Sequence, residues 1–155
     1  KRRVLASLGR SGRLASLIEG SAPPLMAQVL SLLRSLASVE PNTEVGKHVE
    51  PEVMDVVIHC LCQHATDVNV QRWGLAALGG LAAADDNMAQ RGAEPGATCV
   101  VWALGADALA GAAGVQQEAL FCAHALCSTA PGRALLADPS SHVSGLVAAA
   151  VADSA

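Results

Sequence analysis

Apolar residues recur along this chain at intervals of three and four, in blocks of helix length separated by short polar, proline- or glycine-bearing stretches. No segment alternates in pairs for long, so the pattern predicts amphipathic helices and no sheet. A short helix is expected over 12–20, closed by Gly20, and Pro23-Pro24 then open a helix over 25–39. That helix carries Leu25, Val29, Leu30, Leu33 and Leu36 on one side and ends at Glu40-Pro41-Asn42. After a polar turn over 43–48, Pro51 opens a helix over 51–64 with Val53, Val56, Val57, Cys60 and Leu61 as its apolar face. Asp67 is placed to cap a helix over 69–83, its carboxylate accepting from the amides of the first turn. Asp85-Asp86-Asn87 breaks that helix, and a short helix over 87–92 leads to a break at Pro95-Gly96. Helices over 97–106 and 115–128 follow, then a break at Pro131-Gly132, a short helix over 133–137 and a last one over 141–152.

These elements repeat. A shift of 45 residues brings Val70-Gln71 onto Val115-Gln116, Leu75 onto Leu120 and Leu81 onto Leu126. The opposite shift brings Leu75, Leu78 and Leu81 onto Leu30, Leu33 and Leu36, and the register holds across the connections, with Asn87 on Asn42 and Val101 on Val56. A helical unit of this period predicts a solenoid, in which each unit buries its apolar face only against its neighbours. The phase divides the chain into a partial repeat at 12–38, repeats at 42–83 and 87–129, and a partial repeat at 132–152, all within one domain over 1–155. The last helix, around Leu146, Val147 and Val151, lacks the long helix that would cover it. That phase predicts a segment of a longer array, with self-association through the open repeat ends.

The unit of short, medium and long helix resembles the armadillo repeat. The resemblance rests on Val70-Gln71 followed by Ala77-Leu78-Gly79-Gly80-Leu81-Ala82, echoed by Val115-Gln116 and Cys122-Ala123-His124-Ala125-Leu126-Cys127. Asn42 and Asn87 stand where the family often has an asparagine before its first helix. It implies an all-α, right-handed solenoid of armadillo-like three-helix repeats; the 45-residue spacing exceeds the usual unit, so HEAT-like geometry is the alternative. It also implies that the third helices line a concave face where a protein or peptide partner lies, without catalysis and without a cofactor. The family's asparagine ladder is absent, its positions being Ser35, Gly80 and Ala125, and its tryptophan positions are Ser31, Ala76 and Phe121. Recognition of nuclear localisation signals is therefore not implied. The face is left with Ser31, Arg34 and Ser35, then Arg72, Trp73, Ala76 and Gly80, then Gln117, Phe121 and His124 as its partner-binding residues. A floor of small residues with two arginines and an aromatic suits an apolar helix or a peptide bearing a carboxylate.

Composition narrows the function further. With 52% hydrophobic and 15% charged residues the chain reads as a packed domain rather than a disordered segment. A formal charge of −4 does not suggest a nucleic-acid binder, although five basic residues crowd the first thirteen positions. The most apolar stretch, 97–115, contains Asp107 and three glycines and is divided between two helices, so no membrane insertion is expected. Five cysteines, an odd number, all in apolar helical patterns, read as buried reduced thiols of an intracellular and most simply cytoplasmic protein.

Two clusters invite chemistry. His59-Cys60-Leu61-Cys62-Gln63-His64 has the residue types of a zinc site, but on a helix Cys60 and His64 share one face and His59 and Cys62 another, so four ligands do not converge. Cys122 and His124 sit roughly 200° apart around a helix, which excludes a nucleophile–base pair. Trp102, in register with Val57 and Val147, is expected in the core, and Trp73 at a helix edge. The reading is a non-catalytic interaction scaffold. A structural segment of a large assembly is the alternative, with a metal or thiol enzyme disfavoured by the helix geometry.

Overall fold

All but one of the described helices begin where the chain supplies a cap or a proline; the helix that starts at Ala113 has neither. In the computed structural model, which describes residues 21–37 and 52–137, helix α1 spans Pro23–Ala37, α2 Glu52–Gln63, α3 Val68–Ala84, α4 Asp86–Gly105, α5 Ala113–Leu126 and α6 Ala130–Ala137. A 3-10 turn at Asp107–Leu109 joins α4 to α5, and no strand occurs among the described residues. The elements expected over 12–20, 43–48 and 141–152 lie outside those residues.

Pro23 and Pro24 occupy the first turn of α1, where a missing amide hydrogen breaks no intrahelical bond. Asp67 caps α3 as its sequence position predicts, Oδ1 accepting from the amides of Asn69 at 3.0 Å and Val70 at 2.9 Å. Asp85 both ends α3 and caps α4, accepting from Asn87 at 2.7 Å and Met88 at 3.2 Å. Thr129 caps α6, its Oγ1 accepting from the Gly132 amide at 3.1 Å. Pro131 thus falls in a first turn and starts a helix at Ala130, where a break was expected.

The larger departure is at Pro95-Gly96. Two helices were expected there, yet α4 runs unbroken for 20 residues with Pro95 inside it. Pro95 is exposed while Gly92, Ala93, Gly96 and Ala97 are buried, so the carbonyl that loses its donor lies on the water side. Packing of the inner face against α2, α3 and α5 outweighs the local preference.

Helix α3 is the centre. It lies between α1 and α5 and backs onto α2 and α4. Every residue from Gly74 to Ala82 is buried, as befits a helix that is apolar on nearly all sides. Glycines set the close approaches. A Cβ on Gly79 would stand 2.8 Å from the Phe121 ring of α5, and one on Gly80 would stand 3.1 Å from Ala37 of α1. These contacts, with Arg72 against Gly114 and Ser31 sharing a recess with Trp73, align α1, α3 and α5 parallel and side by side.

Several residues equated by the 45-residue shift share environments, although Leu120 and Leu36 are half-buried where their counterparts Leu75 and Leu81 are buried. Val70 and Val115 are fully buried, as are Leu75 and Leu30, and Leu81 and Leu126 both line the core. The paired glutamines share a task as well. Gln71 Nε2 donates to the carbonyls of Leu61 at 2.7 Å and His64 at 3.1 Å, satisfying the open end of α2. Gln116 Nε2 reaches the Ala103 carbonyl of α4 at 3.3 Å. Gln71 Oε1 is buried with no hydrogen-bond partner among the described residues.

Two side chains are not where the sequence placed them. Trp102 is 51% exposed, its indole Nε1 donating to the Ala65 carbonyl at 3.2 Å. Because α4 continues through Pro95, its phase turns Cys99, Val100, Ala103 and Leu104 inward and leaves Trp102 outside. Leu25 is likewise 51% exposed, and Met26 and Ala27 take the inner positions beside Leu30 and Leu33.

Candidate partner-binding face

The ten residues expected to meet a partner all lie on α1, α3 and α5, and they differ in exposure. Ala76 and Gly80 are buried within α3, so they shape the floor from beneath its surface. Above the floor stand two guanidinium–aromatic pairs. Arg34 of α1 reaches across to α5 and lies over the Phe121 ring, with Cζ 5.1 Å from its centroid. Arg72 lies over Trp73 at 4.9 Å. Contact with an aromatic face holds each guanidinium in place while its planar edge stays free for hydrogen bonding. Neither arginine pairs with a carboxylate among the described residues, where the ion pair present is Arg91 with Asp55.

Helical spacing places the rest. Gln117 and His124 are exposed, flanking half-buried Phe121 on one side of α5. On α1, Ser31 is half-buried and Ser35 exposed, with the Ser35 hydroxyl donating to the Ser31 carbonyl at 3.0 Å. Between α1 and α3 the surface opens into a recess of about 360 Å³, bounded by Pro23, Pro24, Ala27 and Ser31 on one wall and by Asp67 and Trp73 on the other. Trp73 is half-buried at the helix edge, as its position before the core leucine predicts. From sequence the prolines of α1 mark only a helix start; that they also form a wall follows from α1 lying parallel to α3, which no local pattern encodes.

The Cys/His segment is dispersed by its helix. Cys60 is buried, whereas His59 and Cys62 are exposed and His64 is half-buried. Among the described residues no three His, Cys, Asp or Glu side chains converge as a metal ion would require. Burial pushes the Cys60 thiol up to about 11, and it raises Cys122 as well. The uniform burial expected of the five thiols does not hold, since Cys62 is exposed and Cys127 half-buried. Cys62 lies in the last turn of α2 beside the buried stripe rather than on it, and Cys127 is the residue that caps the end of α5. In the folded chain iodoacetamide is expected to modify Cys62 first, with Cys60 and Cys122 reacting only in denaturant. Peptide mapping after timed quenching checks this, and early modification of Cys60 would contradict the burial described.

No protein-family model matches the chain, and neither does any curated protein or solved structure. Among the described residues no helix is long and apolar enough to cross a membrane.

Proposed function

We propose that this chain is a non-catalytic interaction scaffold of armadillo-like repeats. Its partner is a protein segment, extended or helical, lying along the face formed by α1, α3 and α5. The observation that carries the reading is the pair of guanidiniums, Arg34 on Phe121 and Arg72 on Trp73, standing over a buried small-residue floor with no carboxylate partner among the described residues. A segment with apolar residues toward the floor and a carboxylate at each arginine would complement it in shape and charge. The recess beside Trp73 offers an apolar side chain a place to enter between α1 and α3. The repeated Val-Gln motif and the parallel alignment of the three helices support the repeat assignment.

The test is a peptide array of apolar sequences with and without paired Asp or Glu, read by fluorescence anisotropy. Acidic members are expected to bind, and Arg72→Glu is expected to weaken them about tenfold or more, roughly 1.4 kcal/mol. Arg72 is exposed but its stem rests against Gly114, so Arg72→Gln, which keeps most of that stem, is measured alongside to separate lost charge from lost packing. Phe121→Ala is the poorer probe, because the ring also packs on Gly79. Binding indifferent to both Arg72→Glu and Arg34→Gln would place the working surface elsewhere.

A further inference from the structure

Helices α2 and α4 lie in parallel on the side of α3 away from the proposed binding face, and three contacts fix their register. A Cβ on Gly92 would touch the Met54 thioether at 3.1 Å, so the two backbones come close at that level. One residue over, Arg91 forms its ion pair with Asp55, Nε donating to Oδ1 at 3.0 Å. Beyond the last turn of α2, the Trp102 indole donates to the Ala65 carbonyl at 3.2 Å. Partners in these contacts are 38, 36 and 37 positions apart in sequence. Cys62 and Cys99 are 37 apart, so the same register sets them opposite each other between the bracketing contacts. Helical phase agrees: Cys62 stands seven residues beyond Asp55 and Cys99 seven beyond Gly92, so the two lie on the facing stripes of α2 and α4. Their surroundings differ: Cys62 is exposed, whereas Cys99 is only 7% exposed. Behind Cys99, and fully buried, comes Cys122.

We propose that Cys62 and Cys99 form a reactive dithiol site, in which Cys62 accepts a thiol group from a small-molecule disulfide and Cys99 resolves the adduct into a disulfide joining α2 to α4. An exposed attacking thiol next to a buried resolving one is the arrangement that two-step thiol–disulfide exchange requires. In the first step the Cys62 thiolate, its proton released to water, attacks one sulfur of R–S–S–R. The S–S bond breaks, RS⁻ leaves and takes a proton from water, and Cys62 carries S–S–R. In the second, Cys99 gives its proton to water and attacks the Cys62 sulfur, expelling the other RS⁻, which is protonated in turn. Two protein thiols are oxidised by two electrons, and one disulfide is reduced to two thiols. Burial, together with Cys62, pushes the Cys99 thiol up to about 12. Capping Cys62 in the first step removes the charge that opposes ionisation of Cys99.

The test incubates the chain in buffers of graded oxidised and reduced glutathione, alkylates the remaining thiols in denaturant, and maps the peptides by mass. The expected product is a Cys62–Cys99 cross-link that forms reversibly and at a lower oxidised fraction than any other pairing. Cys62→Ser should abolish it and leave Cys99 reduced, while Cys99→Ala should leave glutathione on Cys62. Should Cys99→Ala fail to fold, the exposed Cys62→Ser variant carries the comparison alone. Three outcomes would overturn the proposal: glutathione persisting on Cys62 in the unmodified chain, a cross-link from Cys99 to Cys122, or Cys62 pairing between two chains.

Discussion

Pro95→Ala is expected to stabilise the chain by about 1–3 kcal/mol, each kcal/mol raising the melting temperature by roughly 2–4 °C for a domain of this size. Proline inside a helix removes a hydrogen bond to the carbonyl four residues back and crowds that carbonyl with its ring. In α4 that carbonyl belongs to Arg91, and the helix passes through the site without interruption. The ring contributes little to the interior, because Pro95 and Glu94 face water while Gly92, Ala93, Gly96 and Ala97 form the buried stripe. Alanine restores the donor and the best helix propensity without displacing a core contact. Thermal unfolding followed by circular dichroism measures the change. If the segment were two helices hinged at Pro95, the substitution would leave stability unchanged or lower it.

That proline also marks where sequence ceases to be a guide. Helix positions were legible because their determinants are local: Asp67 caps α3, Pro23-Pro24 open α1, and the leucine spacing of α3 names its inner side. The 45-residue shift carried further, since Val70 and Val115 are both buried and Gln71 and Gln116 both reach back to the helix before them. Continuity of α4 was not legible, because it depends on what its buried stripe touches on α2, α3 and α5. The error then spread from backbone to side chain. Extending α4 through Pro95 fixes the phase of its second half and turns Trp102 outward. For the proposed binding face, sequence supplied the helices and the charged and aromatic residues from which the proposal is built. It did not show that Ala76 and Gly80 lie under the surface, nor that Arg34 crosses to Phe121, which depends on how closely α1 and α5 approach α3.

That closeness leads to a second large effect: Gly79→Ala should destabilise the chain by about 1–3 kcal/mol, although alanine is the better helix former by about 1 kcal/mol. The added Cβ would stand 2.8 and 2.9 Å from two Phe121 ring carbons and 3.0 Å from the Cys122 Cα. The ring is held from above by Arg34, and the Cα is backbone of α5, so neither yields without moving α5 away from α3. Gly111→Ala supplies the control. Nothing lies within 4 Å of a Cβ there, and the gain should be about 0.4–1 kcal/mol through a less free unfolded chain. Combining Gly79→Ala with Phe121→Ala isolates the ring contact: the double variant should be more stable than the two separate losses predict, since one removes what the other strikes. Chemical denaturation of the four proteins gives the coupling directly. Strict additivity, or a gain at Gly79 like that at Gly111, would mean that α5 does not rest on the bare backbone of α3.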